Sequence, residues 1–194
     1  MKYYILRNDR SKDDGAVIDE APVNGPKEYM YKKLKPLLKK FPTNAEVYFS
    51  DNYPDAIKLY DFVDNICGLL IISKKVQQLF EKLDIQSVEY LPVRMRDHSE
   101  NLLEKADYYI LNSFRDIDFI NFEKSDVVMN SMKKDRIFKI NGPTYIDAQK
   151  IPENTHLFRT ARWPKVYFVS ELLVNAMKEG ELSGYVLEEA ISTS

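Results

Sequence analysis

The chain has 194 residues and a mass of 22.7 kDa, enough for one domain with a real buried core. Its residues are 44% hydrophobic and 30% charged, the make-up of a folded protein rather than a disordered one. A formal net charge of -2 excludes a global field that would draw it to nucleic acid or an anionic membrane, and the lone Cys67 excludes an internal disulfide framework.

The aromatic and aliphatic run Tyr3 to Arg7 favours a strand. Met1 leads straight into it without a basic-then-apolar leader, and the longest apolar run, Gly68 to Ile72, is too short to span a bilayer. A cytoplasmic location without membrane attachment is therefore expected. Arg10 to Glu20, acidic and Gly-containing, reads as a solvated loop. Lys27 to Leu38 places Tyr29, Met30, Leu34, Leu37 and Leu38 near helical spacing, with a break expected at Pro36, whose ring removes a helical N–H. Charge then changes sign. Pro26 to Lys40 holds six lysines against the single Glu28, and Asn44 to Asn65 holds five carboxylates against the single Lys58. Within the acidic stretch, Glu46 to Phe49 reads as a short strand closed by Ser50-Asp51-Asn52 and Pro54. Ala56 to Val63 reads as a short helix or irregular chain.

The next part of the pattern occurs twice. Leu69 to Ile72 runs into Ser73 and an amphipathic helix, and Val166 to Val169 runs into Ser170 and another, 97 positions later without a gap. Each serine suits an N-cap, its hydroxyl accepting from a free N–H of the first turn. Neither copy has Glu or Gln at the third helical position, so neither is a full capping box. Val76, Leu79, Phe80 and Leu83 form one buried stripe; Leu173, Ala176 and Met177 form the other, with Gly180 offering a C-terminal cap. Tyr108-Tyr109-Ile110-Leu111 echoes Tyr3-Tyr4-Ile5-Leu6. The spacing predicts related places for the two helices against largely antiparallel sheets, with 69–91 and 166–188 a pseudo-repeat inside a single domain spanning 1–194. Asp107 to Phe114, Arg136 to Ile140 and His156 to Thr160 also read as strands, and alternation continues through 117–122. Turns are expected at Asn141-Gly142-Pro143 and Pro152-Glu153-Asn154. Strands outnumber helices without alternating with them, which makes the class α+β.

Chemistry is sparse. With two histidines and one cysteine the chain cannot build a His/Cys zinc site. His98 reads as exposed, His156 as structural and Cys67 as a small buried hydrophobe. No nucleophile elbow, phosphate loop, dinucleotide fingerprint or H-E-x-x-H helix is present. Asp116 and Asp118 would share one face of a strand and could seed a divalent-cation site, although a solvated face is the simpler reading. Tyr53 and Tyr60 stand among carboxylates, the setting of an interface anchor or of a ring that pins a loop.

A longer pattern runs from about residue 60 to the end. It comprises Asp61-Phe62, Ile71-Ile72-Ser73, Ser87-Val88-Glu89-Tyr90, Tyr108 to Asn112, Asp118, Glu123-Lys124-Ser125, His156 to Arg159, Phe168-Val169-Ser170 and Ser183-Gly184-Tyr185. In order and spacing it resembles the bacterial polymorphic-toxin immunity proteins of immunity family eleven. The resemblance implies a cytoplasmic antitoxin that binds and neutralises a cognate toxin encoded by an adjacent gene, with no cofactor, metal or catalytic residue. Its shared positions look like scaffold and do not locate the contact surface. The residues themselves nominate Asp51, Tyr53, Asp55, Tyr60, Asp61 and Asp64, where acid and aromatics mix, as toxin contacts. A small metal-dependent hydrolase or nuclease using Asp116 and Asp118 is the alternative.

Overall fold

The computed structural model describes residues 1–193. Short runs rich in Val, Ile, Tyr and Phe become strands, as their pleated-surface preference dictates. In chain order the elements are β1 (Tyr3–Asn8), β2 (Val17–Ile18), α1 (Glu28–Tyr31), β3 (Glu46–Tyr48), β4 (Phe62–Asn65), β5 (Ile71–Ser73), α2 (Lys74–Lys82), β6 (Val88–Arg96) and β7 (Tyr108–Ser113). There follow β8 (Asp126–Met129), β9 (Ile137–Asn141), β10 (Tyr145–Asp147), β11 (Leu157–Phe158), β12 (Tyr167–Ser170), α3 (Glu171–Glu179) and β13 (Tyr185–Thr193). One sheet has the order β2-β4-β5-β7-β6-β3, a second β10-β13-β1-β12-β11, and β8 and β9 form a separate ribbon. Most pairs are antiparallel, and the parallel ones lie towards the edges. The fold is α+β.

The two large sheets follow one plan. In the first, β7 lies between the strands that flank α2, with Tyr108 opposite both Ser73 and Val93. In the second, β1 lies between the strands that flank α3, with Tyr3 opposite both Ser170 and Ala190. Ser73 Oγ accepts from Val76 N–H at 3.4 Å and Ser170 Oγ from Leu173 N–H at 3.3 Å. After each helix the chain turns through left-handed backbone, at Asp84 (φ 51) and Ser87 (φ 60) in one half and Glu181 (φ 48) and Gly184 (φ 84) in the other. The outer parallel strands match as well: Glu46 opposes Arg94, and Tyr145 opposes Ile191. One connection differs. β7 follows its helix in sequence, whereas the second sheet takes its central strand, β1, from the start of the chain.

Alternation along the strands divides the core. Ile72 and Val169 face a central cluster in which Val76 and Phe80 of α2 meet Leu173, Val174 and Met177 of α3. Ile71 faces a first outer cluster with Ile18, Val47 and Met95, and Phe168 faces a second with Phe119, Phe158 and Ile146. In the latter, Phe119 meets Phe158 and Phe168 edge-on, with centroids 4.9 and 4.6 Å apart. Sheets covered on both faces explain why their central strands read as unbroken apolar runs.

Three expectations need correction. The helix over 27–38 shrinks to Glu28–Tyr31, and the chain breaks at Leu34 (φ 50), before Pro36. Lys35 precedes proline and so disfavours helix, while the Glu89 carboxylate accepts from Leu37 N–H at 2.7 Å and Leu38 N–H at 3.2 Å. Arg10 to Glu20 is not all solvated, because Ala16 and Ile18 are buried and β2 pairs with β4. The 117–122 alternation makes one isolated bridge, Ile120 with Ile146, rather than a strand, with Ile117, Phe119 and Ile120 all buried. Gly180 caps α3 as expected, with an ordinary φ of -76, and Glu181 takes the left-handed position.

At the seam of the halves Arg159 is 1% exposed. Its Nε donates to Ser113 O at 2.7 Å, Nη1 to Tyr31 O and Pro164 O, both at 3.1 Å, and Nη2 to Asn112 Oδ1 at 3.2 Å, with the Tyr167 ring 4.9 Å away. Asn112 in turn donates to Glu89 Oε2 at 3.1 Å, linking the buried cation to a carboxylate. Among the described residues no helix is long and apolar enough to cross a membrane.

Candidate functional site

Tyr53, Asp55, Tyr60 and Asp64 line one cleft of about 450 Å³, together with Arg10, Lys12, Asp13 and Ile66. Local turn chemistry builds one wall. Asn52 N–H donates to Ser50 Oγ at 3.2 Å, Tyr53 N–H to Ser50 O at 3.1 Å and Ala56 N–H to Tyr53 O at 3.0 Å. The buried Ser50 and Ala56 pin this double turn, and Asn52 Nδ2 ties it to Asp19 Oδ2 at 3.0 Å. Tyr53 between them stays 51% exposed, and exposed Ile66 lines the same cleft.

Tyr60 forms the opposite wall. Its hydroxyl donates to Asp14 Oδ1 at 2.7 Å, which holds the Asp14 carboxyl below the usual carboxylate range. Lys58 Nζ lies 4.7 Å from the ring centroid. Gly15 packs against the same ring, where a Cβ would sit 3.2 Å from Tyr60 Cε2. Tyr60 therefore secures the loop, and Tyr53 is the free aromatic. Asp64 pairs with Arg10 at 3.3 Å. Carboxylates outnumber cations around the cleft: Asp9, Asp13, Asp55 and Asp64 against Arg10 and Lys12.

The other two nominated residues lie elsewhere. Asp61 accepts from Ser73 Oγ at 2.7 Å, Ser183 N–H at 2.9 Å and Ser183 Oγ at 2.8 Å, joining the start of α2 to the turn after α3. In the second half His156 Nδ1 meets Ser170 Oγ at 2.8 Å, the corresponding joint. Asp51 lines a neighbouring concavity with Asp19 and Phe49, and its carboxylate is 3.8 Å from His98 Nδ1. His98 is not simply exposed, for it packs edge-on against Phe49 with centroids 5.6 Å apart.

The remaining chemical candidates are engaged in structure. Asp116 Oδ1 accepts from Ala161 N–H at 2.7 Å, and Asp118 pairs with Arg162 at 3.3 Å. Among the described residues no group of three or more His, Cys, Asp or Glu could hold a metal ion. Cys67 is buried, and desolvation pushes its thiol up to about 11. Ile66 has no local signal in the sequence, because it stands between the apolar runs Phe62-Val63 and Leu69 to Ile72 and reads as one more core residue.

A model of the Immunity protein family (Imm11) matches residues 2–192, and the chain belongs to that family. No curated protein matches it.

Proposed function

We propose that this member of the Imm11 immunity family neutralises a cognate toxin domain by binding it, and that the cleft of Tyr53, Asp55, Tyr60 and Asp64 is the contact. The observation that carries the reading is the cleft's composition. An exposed aromatic, Tyr53, lines the cleft with exposed Ile66 and is set in an acidic rim. Such a rim speeds encounter with a basic surface, and the apolar side chains supply affinity once water is expelled. A toxin that acts on nucleic acid or nucleotides presents a basic active site of that kind. Asp51 flanks the contact on the same turn. Asp61 serves it indirectly by holding the two helix units together. The protein acts in the cytoplasm as a stoichiometric binder, and its partner is encoded beside it.

The test is binding of the purified toxin domain of the neighbouring gene to folded variants. Tyr53→Ala should weaken binding about tenfold or more, as loss of a central aromatic anchor does. Asp51→Lys/Asp55→Lys should slow association and flatten its salt dependence. Neutralisation should saturate at one immunity chain per toxin. Unchanged affinity and unchanged salt dependence in both variants would move the contact to another surface.

A further inference from the structure

A second concavity, of about 430 Å³, lies on the insertion between β2 and β3. Met30, Leu37, Pro26 and Pro42 give it apolar walls, and Lys33, Lys35 and Lys40 stand on its rim without a carboxylate among the lining residues. All three lysines are exposed. Lys33 Nζ lies 4.9 Å from the Tyr29 ring, and the segment's ion pair is made by Lys32 with Glu28. The pocket is preformed. The Glu89 carboxylate holds the Leu37 and Leu38 N–H groups, and Asn112 Nδ2 donates to Lys35 O at 2.9 Å.

Ammonium groups around an apolar floor select an apolar side chain flanked by carboxylates. The rim has no arginine, whose planar fork would favour a phosphate backbone, so an acidic protein segment suits it better than nucleic acid. The molecule presents such a segment itself. The turn Asp51-Asn52-Tyr53-Pro54-Asp55-Ala56-Ile57 carries Tyr53 at 51% and Ile57 at 63% exposure between and beside its carboxylates. We propose that the lysine-rimmed pocket receives this acidic turn from a second copy of the chain, with Tyr53 on the apolar walls and Asp51 and Asp55 beside Lys35 and Lys40. A net charge of -2 leaves little general repulsion between copies. Pocket-to-pocket pairing is opposed by like charge, so the contact is head-to-tail and association grows with concentration.

The turn serves one partner at a time, and the purified chain alone provides the test, so its failure would leave the toxin reading standing. Sedimentation velocity at about 50 mM salt should give an average mass that climbs above 22.7 kDa with concentration and returns to it at about 500 mM salt. Lys35→Glu/Lys40→Glu and Asp51→Lys/Asp55→Lys should each stay at 22.7 kDa, with circular dichroism unchanged. Mixed in equal amounts they should associate again, because one keeps the native turn and the other the native pocket, and the reversed turn and reversed pocket also carry opposite charge. A wild-type chain at 22.7 kDa under all conditions would overturn the proposal. So would association untouched by either variant, a mixture that stays unassociated, or capture of single-stranded RNA by the lysines in place of a second copy.

Discussion

Where the capping serine of the first half meets Asp61, that of the second half meets His156. Asp64 pairs in parallel with Val17, and Arg159 stands in the matching bridge to Asp116. Phe80 and Met177 hold the same place on their helices, each fully buried in the shared core. The positions that agree between halves fix the backbone: the cap hydroxyls, the left-handed residues, the strand registers. The positions that differ meet neighbours unique to each half. The largest divergence lies in the two insertions. One, before β3, is rich in lysine, and the other, before β10, carries the β8–β9 ribbon. The layout shared by the two sheets therefore constrains hydrogen bonding more tightly than it constrains side-chain chemistry.

The halves contrast most at the matching positions Arg159 and Asp64. Arg159→Ala strips donors from Ser113 O, Tyr31 O, Pro164 O and Asn112 Oδ1 at once, and should cost about 3–5 kcal/mol in denaturant unfolding. Asp64→Ala loses a pair to a mostly exposed Arg10 and should cost about 1 kcal/mol or less. Equal losses would mean that the seam is not where the halves are locked. If they are locked there, as we propose for a single folding unit, wild type unfolds in one transition by every probe.

An effect of comparable size tests the helices. Phe80→Ala should cost about 3–5 kcal/mol and Met177→Ala about 2–4 kcal/mol, both lowering Tm through cavities in one shared core. The double variant should depart from additivity, since the two helices pack together. A melt of Phe80→Ala within a degree of wild type would make α2 an exposed element instead.

The smallest effect concerns the outer parallel strands and pH. Beside β10 the Asp147 carboxyl is pulled down to about 2, first by Lys150 and then by Asn121 and Thr193. Its folded value lies below its unfolded one, so its contribution is complete above about pH 4 and is lost as pH falls towards 2. Asp147→Asn should flatten that part of the acid limb in melts taken across pH. In the first half Glu46, held low by Arg96, clips β3 to β6, and Glu46→Gln should remove its own share. An acid limb unchanged in Asp147→Asn would show that the second clip adds nothing.

Much of the scaffold was legible in the residues because its signals are local. Ser73 and Ser170 cap whichever helix follows them, Gly142 and Asn154 take left-handed turns, and the apolar runs become strands. The nominated contacts were legible only as a charge-and-aromatic composition. Four of them share a cleft, while Asp61 turned out to be a joint because the hydroxyl of Ser183, 122 residues away, reaches it. Helix starts and strand runs follow from interactions a few residues long, and the 97-residue echo is legible because it repeats that local pattern. No local signal says that β1 completes the second sheet, that Arg159 lies buried at the seam or that Tyr53 remains exposed. Each of those depends on which distant backbone carbonyls and side chains meet, and a registry between remote segments is set by packing the whole chain rather than by local preference.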